Sequence, residues 1–148
     1  YVVDQVRSNK VYSLSATVGM IEPFHCSSVG KCILAYQQPE TIRMLLTNYE
    51  LTRYTKNTIT DIDTLMLHLN DIRSQGYSVD DEEMAIGVRC ISVPIFNHRN
   101  SVRYSIGISG PRSSMSPTTV EETVNKMTSA AKEISCSIGW ERKTVVVQ

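Results

Sequence analysis

The chain has 148 residues, 15 basic and 15 acidic side chains, and a formal net charge of zero. That length suits one domain with a real hydrophobic core, and the neutral balance removes the electrostatic case for gripping nucleic acid unaided. No apolar run approaches the roughly 18 residues of a membrane helix and no signal peptide is visible; a start at Tyr1, with Val2 and Val3 already strand-like, reads as a fragment of a longer protein.

In chain order, "VVDQV" and "VYSLSATVG" are expected to form two short strands around a polar turn at Ser8 and Asn9. From Ser27 the pattern becomes helical, with Val29, Cys32, Ile33 and Tyr36 at three- and four-residue spacing, until Pro39 ends it and opens a second helix with Ile42, Leu45, Leu46 and Tyr49 inward. A third helix is predicted from about Asp61 to Gln75, with Thr60 as cap, Ile62, Leu65, Leu69 and Ile72 as its apolar stripe, and Gly76 as the left-handed stop. The last opens at Ser116-Pro117 and carries Val120, Val124, Met127, Ala131, Ile134 and Ile138 to an end near Gly139. Between these helices "VRCISVPI" and "RYSIGISG" read as a hairpin joined by "FNHRNSV". Alternation puts Arg89, Ile91, Val93 and Ile95 on one face with Tyr104, Ile106 and Ile108. Val88, Cys90, Ser92 and Pro94 share the other with Ser105, Gly107 and Ser109. That second face, small and lightly polar, leaves room either for a ligand or for a closely packed helix.

The stretch "EPFHCSSVGKC" concentrates the reactive side chains, and several chemistries compete for it. His25, Cys26 and Cys32 fit no common zinc spacing, and neither His68 nor His98 is an evident fourth ligand, so no metal is expected. The cysteines Cys26, Cys32, Cys90 and Cys136 are scattered as reduced cytosolic thiols are, without a disulfide framework. Cys26, Cys32 or Cys90 paired with His25 lacks any hydrolase signature, and Cys32 on a helical stripe suits core packing. "CSSVGK" resembles a loop entering a helix N-terminus, whose free N–H groups favour a carboxylate; it lacks the P-loop spacing, so an organic acid fits better than a nucleotide. The plain alternative is that Ser27 or Ser28 only caps the helix. Asp80, Asp81, Glu82 and Glu83 read by default as a solvated acidic turn, the alternative being one acid that points inward towards a bound hydroxyl.

The stretches "PFHCSSVGKCILA", "QGYSVDDEEMAIGVRCISVPIF" and "SIGISGP", with "NTIT" before the third helix, together resemble the IclR family of bacterial transcriptional regulators over nearly the whole chain. The resemblance implies one α/β (α+β), GAF-like effector-binding domain over residues 1–148, with a central antiparallel β-sheet flanked by helices. The winged helix-turn-helix that reads operator DNA would lie N-terminal to it. A small organic acid or sugar acid would sit between the sheet and the loop–helix. Its contacts would be Ser28, Val29 and the N–H groups near Gly30, then Asp80, Val88, Cys90, Gly107 and Ser109. Gly107 stands where the family often has serine, and "FNHRNSV" lacks the family's turn glycine. No catalysis and no cofactor are implied; the domain would be cytoplasmic and a homodimer or homotetramer, through Tyr1–Val18 or the last helix. A rival reading is a cysteine-dependent GAF-type reductase, which requires a depressed Cys90 thiol pKa; a third is a pure dimerisation module. Ser109→Ala and Asp80→Ala are expected to weaken effector binding with the fold intact.

Overall fold

The computed structural model describes residues 1–7 and 16–141. Helix α1, Ser28–Ala35, starts because Ser27 is extended (φ −79°, ψ 145°) and its Oγ accepts from the Gly30 N–H at 3.1 Å. Helix α2, Pro39–Leu46, opens on its proline at the first turn and buries Ile42 and Leu46; Leu45, expected inside, is 45% exposed. Helix α3, Ile62–Gln75, is capped one residue later than predicted. The Asp61 carboxylate accepts from Thr64 N and Oγ1 at 2.8 and 2.7 Å, while Thr60 Oγ1 accepts from Arg53. Gly76 ends α3 at φ 85°, a conformation that glycine adopts without Cβ strain. Helix α4, Pro117–Ser137, is capped by Ser116 as anticipated.

Among the described residues, the sheet has three antiparallel strands in the order β1-β2-β3: β1 Ser78–Asp81, β2 Val88–Phe96 and β3 Val102–Pro111. The hairpin of β2 and β3 matches the predicted alternation, with Cys90 opposite Ser109 and Ser92 opposite Gly107. Asn97 closes it by accepting from Arg99 N, Ser101 N and Ser101 Oγ, and Asn100 takes the left-handed position (φ 57°) that a turn glycine otherwise fills. Strand β1 was not anticipated; aspartate is depleted in strands, and "SVDD" is held there by pairing with β2.

Each face of the sheet has its own core. Ile91, Val93 and Ile95 pack against Met115, Met127 and Ala131 beneath α4, whose Ile134 and Ile138 remain exposed. On the small-residue face lies α1, backed by α3 in a second core of Leu34, Ala35, Ile42, Leu46, Leu65, Leu69 and Ile72. The predicted N-terminal strand is not formed over residues 2–6. Among the described residues, Val2 exchanges bonds with Met20 and Gly19 (2.9 and 2.8 Å) without extending them into a ladder, and Gly19 (φ 87°) turns the chain where strand was expected. The turn at Ser8 and Asn9, and residues 11–15 of the second predicted strand, lie outside the described residues.

Candidate functional site

Two rows of side chains cross the small-residue face, and they have different surroundings. Ser78, Ser92 and Gly107 form one row by register. Helix α1 sits on it: Ser28 Oγ lies 2.8 Å from Ser92 Oγ, and Ser78 Oγ donates to Ser28 O. A Cβ on Gly107 would stand 2.9 Å from both Ser92 Oγ and Val29 Cγ1. A side chain there would require Ser92 Oγ and Val29 Cγ1 to shift, so at this row the small face is closely packed by α1. Asp80, Cys90 and Ser109 form the neighbouring row. Among the described residues, the hydrogen bonds of α1 reach Ser78, Ser92 and Ser105 but not Cys90 or Ser109. Ser109 is exposed, Cys90 is half-buried, and the Ser109 hydroxyl donates to Cys90 Sγ at 3.1 Å. Val88, half-buried, lies one row further on, opposite Pro111.

The structure thus brings Asp80, Cys90 and Ser109 into one row beside the start of α1, and the Ser28 hydroxyl, the Gly30 N–H and Asp80 Oδ1 each have a partner within the protein. The Ser28 hydroxyl fastens α1 to the sheet. The Gly30 N–H is taken by Ser27. Gly30 is glycine because the loop before α1 folds back onto it: a Cβ there would meet Phe24 Cα at 2.4 Å. Asp80 is 1% exposed, and its Oδ1 accepts from Glu83 N at 2.7 Å and from Met84 N at 3.4 Å. Asp80→Ala would therefore loosen that turn as well as remove a candidate contact. Burial raises the Asp80 pKa, while these N–H bonds and the Lys31 charge pull it down.

The acidic run is not a solvated turn. Asp81 pairs with Arg89 at 2.7 Å and Arg112 at 3.1 Å, which together hold its carboxyl below the usual range. Glu82, in the left-handed region at φ 60°, accepts from Gly87 N at 2.7 Å and meets Arg112 at 3.2 Å. Two acids turn inward, Asp80 and Glu83, and Glu83 forms an ion pair with Lys31, which is fully buried. Lys31 Nζ also donates to Val79 O at 2.8 Å and lies 3.2 Å from His68 Nε2. Burial and that ammonium push the His68 pKa down to about 4. Lys31 and Glu83 were not singled out as a pair, yet Lys31 is the one charge in the otherwise uncharged "SVGKCILA", a hint that it has a buried partner. Glu22, half-buried in the loop before α1, was also missed; burial and Asp80 raise its pKa.

The thiols of Cys26, Cys32 and Cys90 are not activated. Burial pushes Cys26 and Cys32 up to about 12, and Cys90 up to about 11 with Asp80 adding to it. This opposes the depressed pKa that the reductase reading requires. His25 is buried; its Nε2 donates to Thr52 O at 3.0 Å, which fixes the loop over α1. No group of three metal-ligating side chains and no helix long and apolar enough to cross a membrane occurs among the described residues. A separate groove of about 430 Å³, lined by Tyr36, Phe96, Ala131, Lys132 and Trp140, lies at the far end of the sheet from Cys90 and Ser109.

Known proteins share this fold. The sequence model described as bacterial transcriptional regulator IclR C-terminal matches residues 1–136. The transcriptional repressor IclR of Escherichia coli (strain K12) is 36% identical over 141 residues, covering 95% of this chain and 52% of that protein. The crystal structure of Thermotoga maritima IclR superposes with a TM-score of 0.88 at 33% identity, covering 93% of this chain and 56% of that one. The inducer-binding domain of Acinetobacter PobR, a double mutant in complex with 3-hydroxybenzoic acid, superposes with a TM-score of 0.78 at 26% identity, covering 86% of this chain and 74% of that one. The chain spans about half the length of the curated relatives it matches. By sequence model, identity and fold alike, it belongs to the IclR family of bacterial transcriptional regulators, as the C-terminal domain.

Proposed function

We propose that this domain senses a small organic acid, of the hydroxylated sugar-acid kind, and passes its binding to DNA through the N-terminal part of the full-length protein. The observation that carries this is the row Asp80, Cys90 and Ser109, a polar strip beside the first turn of α1 with no α1 hydrogen bond on it. The start of a helix favours an anion. With the Gly30 amide engaged, the N–H groups of Ser28 and Val29 are the donors for the carboxylate. Asp80 and Ser109 then meet the hydroxyls, and Val88 and Gly107 border the site. The PobR domain, bound to a hydroxylated aromatic acid, supports the ligand class. The domain carries no catalysis, works in the cytoplasm and assembles as a homodimer or homotetramer. The effector acts by binding one arrangement of that assembly better than another, since equal binding shifts nothing.

Calorimetry with D-gluconate and D-gluconamide tests the reading. The acid is expected to bind about a hundredfold tighter than the amide, the worth of a charge-assisted set of hydrogen bonds. Equal affinities would reduce the start of α1 to a cap.

A further inference from the structure

The pair Lys31–Glu83 lies behind the proposed site, and its placement is informative. Lys31 is in the first turn of α1, and its three ammonium donors face the Glu83 carboxylate, the Val79 carbonyl and His68 Nε2. One buried charge thus joins α1, α3, β1 and the turn after β1. Such a pair is weak evidence for stability, because apolar residues of similar volume hold the same place as well or better. What it adds is position. The Glu83 N–H is the donor that holds Asp80 Oδ1 at 2.7 Å, so the residue gripped by Lys31 is the residue that grips Asp80. Between them Glu82 sits at φ 60°, a conformation that persists only when its surroundings enforce it. Thr55 and Thr58 hold the Glu82 and Glu83 carbonyls from one side, each at 2.7 Å. Lys31 holds the turn from α1, whose first residues form the other wall of the site.

We propose that Lys31 is a positioning residue: through Glu83 it sets the place of the Asp80 carboxylate relative to the start of α1. The carboxylate-binding and hydroxyl-accepting ends of the site therefore keep one separation, and a ligand that draws on α1 also moves Asp80. This rests on the reading that both ends face the effector.

The test replaces the pair by apolar residues, Lys31→Met with Glu83→Leu, in the 148-residue chain. Amide hydrogen exchange at positions 83 and 84, corrected for the intrinsic rate of the new residue, is expected to quicken about tenfold or more while Ile91 and Val93 keep their protection, the worth of roughly one hydrogen bond. In calorimetry, the preference for D-gluconate over hexanoate is expected to shrink about tenfold with hexanoate affinity unchanged. Unchanged exchange at Glu83 and Met84, or an equal loss for both acids, overturns the proposal. If the double variant does not fold, Glu83→Gln carries the same exchange measurement. Should the wild type bind neither acid, the effector reading falls, and the exchange result still decides whether Lys31 positions Asp80.

Discussion

Replacing Gly30 by alanine tests how tightly the loop before α1 is closed. The new Cβ would lie 2.4 Å from Phe24 Cα and 2.7 Å from Ser27 Oγ. Phe24 Cα is backbone and cannot swing aside, so the loop has to lift. That loop carries the Ser27 cap on the Gly30 amide (3.1 Å) and the bond from His25 to Thr52 O (3.0 Å). Overpacking costs about 1–3 kcal/mol, the cap about 1 and the His25 bond about 1. Alanine returns about 1 kcal/mol through helix propensity, which leaves a net loss of about 2–4 kcal/mol. For a domain of this size each kcal/mol moves the melting temperature by about 2–4 °C, so G30A should melt about 5–15 °C below the wild type. Thermal unfolding followed by circular dichroism measures it. Gly76→Ala is the control, since nothing lies within 4 Å of its Cβ and only the backbone strain at φ 85° acts. A G30A transition no lower than that of G76A would refute the close approach.

Three further outcomes follow from the buried polar groups. His68 has a folded-state pKa of about 4, below its ordinary 6.5, so its contribution to stability is present above pH 6.5 and is lost as pH falls towards 4; stability of His68→Gln, measured by urea unfolding across that window, should fall less steeply than that of the wild type. Ser135 Oγ accepts from Phe96 N at 2.9 Å and donates to Ala131 O at 2.6 Å; Ser135→Ala leaves a Phe96 N–H without its partner and should destabilise by about 1–3 kcal/mol in the same assay. With Cys90 held up near 11 and Cys26 near 12, a thiol reagent at neutral pH should label exposed Cys136 first; Cys90 labelling faster than a free cysteine would revive the reductase reading.

Where one side chain made the local decision, the sequence was a sufficient guide. Ser116 with Pro117 starts α4, Gly76 stops α3, and alternation along residues 88–95 sorts the two faces of the sheet. Its failures share a cause, which is partners distant in sequence. Strand β1 exists because β2 pairs with it against the preference of its aspartates. Glu83 is buried because Lys31, 52 residues earlier, meets it, and adjacency alone made the four acids look solvated. The close approach of Val29 to Gly107, 78 positions away in the chain, was likewise not legible. The choice of Thr60 over Asp61 as the cap was a slip of one residue between two competent caps.

The two separate cores bear on how such a domain diversifies. One lies under α4 and the other between α1 and α3, and neither includes Cys90 or Ser109, although both residues sit on the strands that those cores hold rigid. Under the proposed function, substitutions at these two positions change which acid is bound while the scaffold stays folded. Ser92 and Gly107, one row away and pressed against α1, lack that freedom. Under that reading, drift towards a new metabolite is channelled into Cys90 and Ser109, and the neighbouring row preserves the inherited architecture.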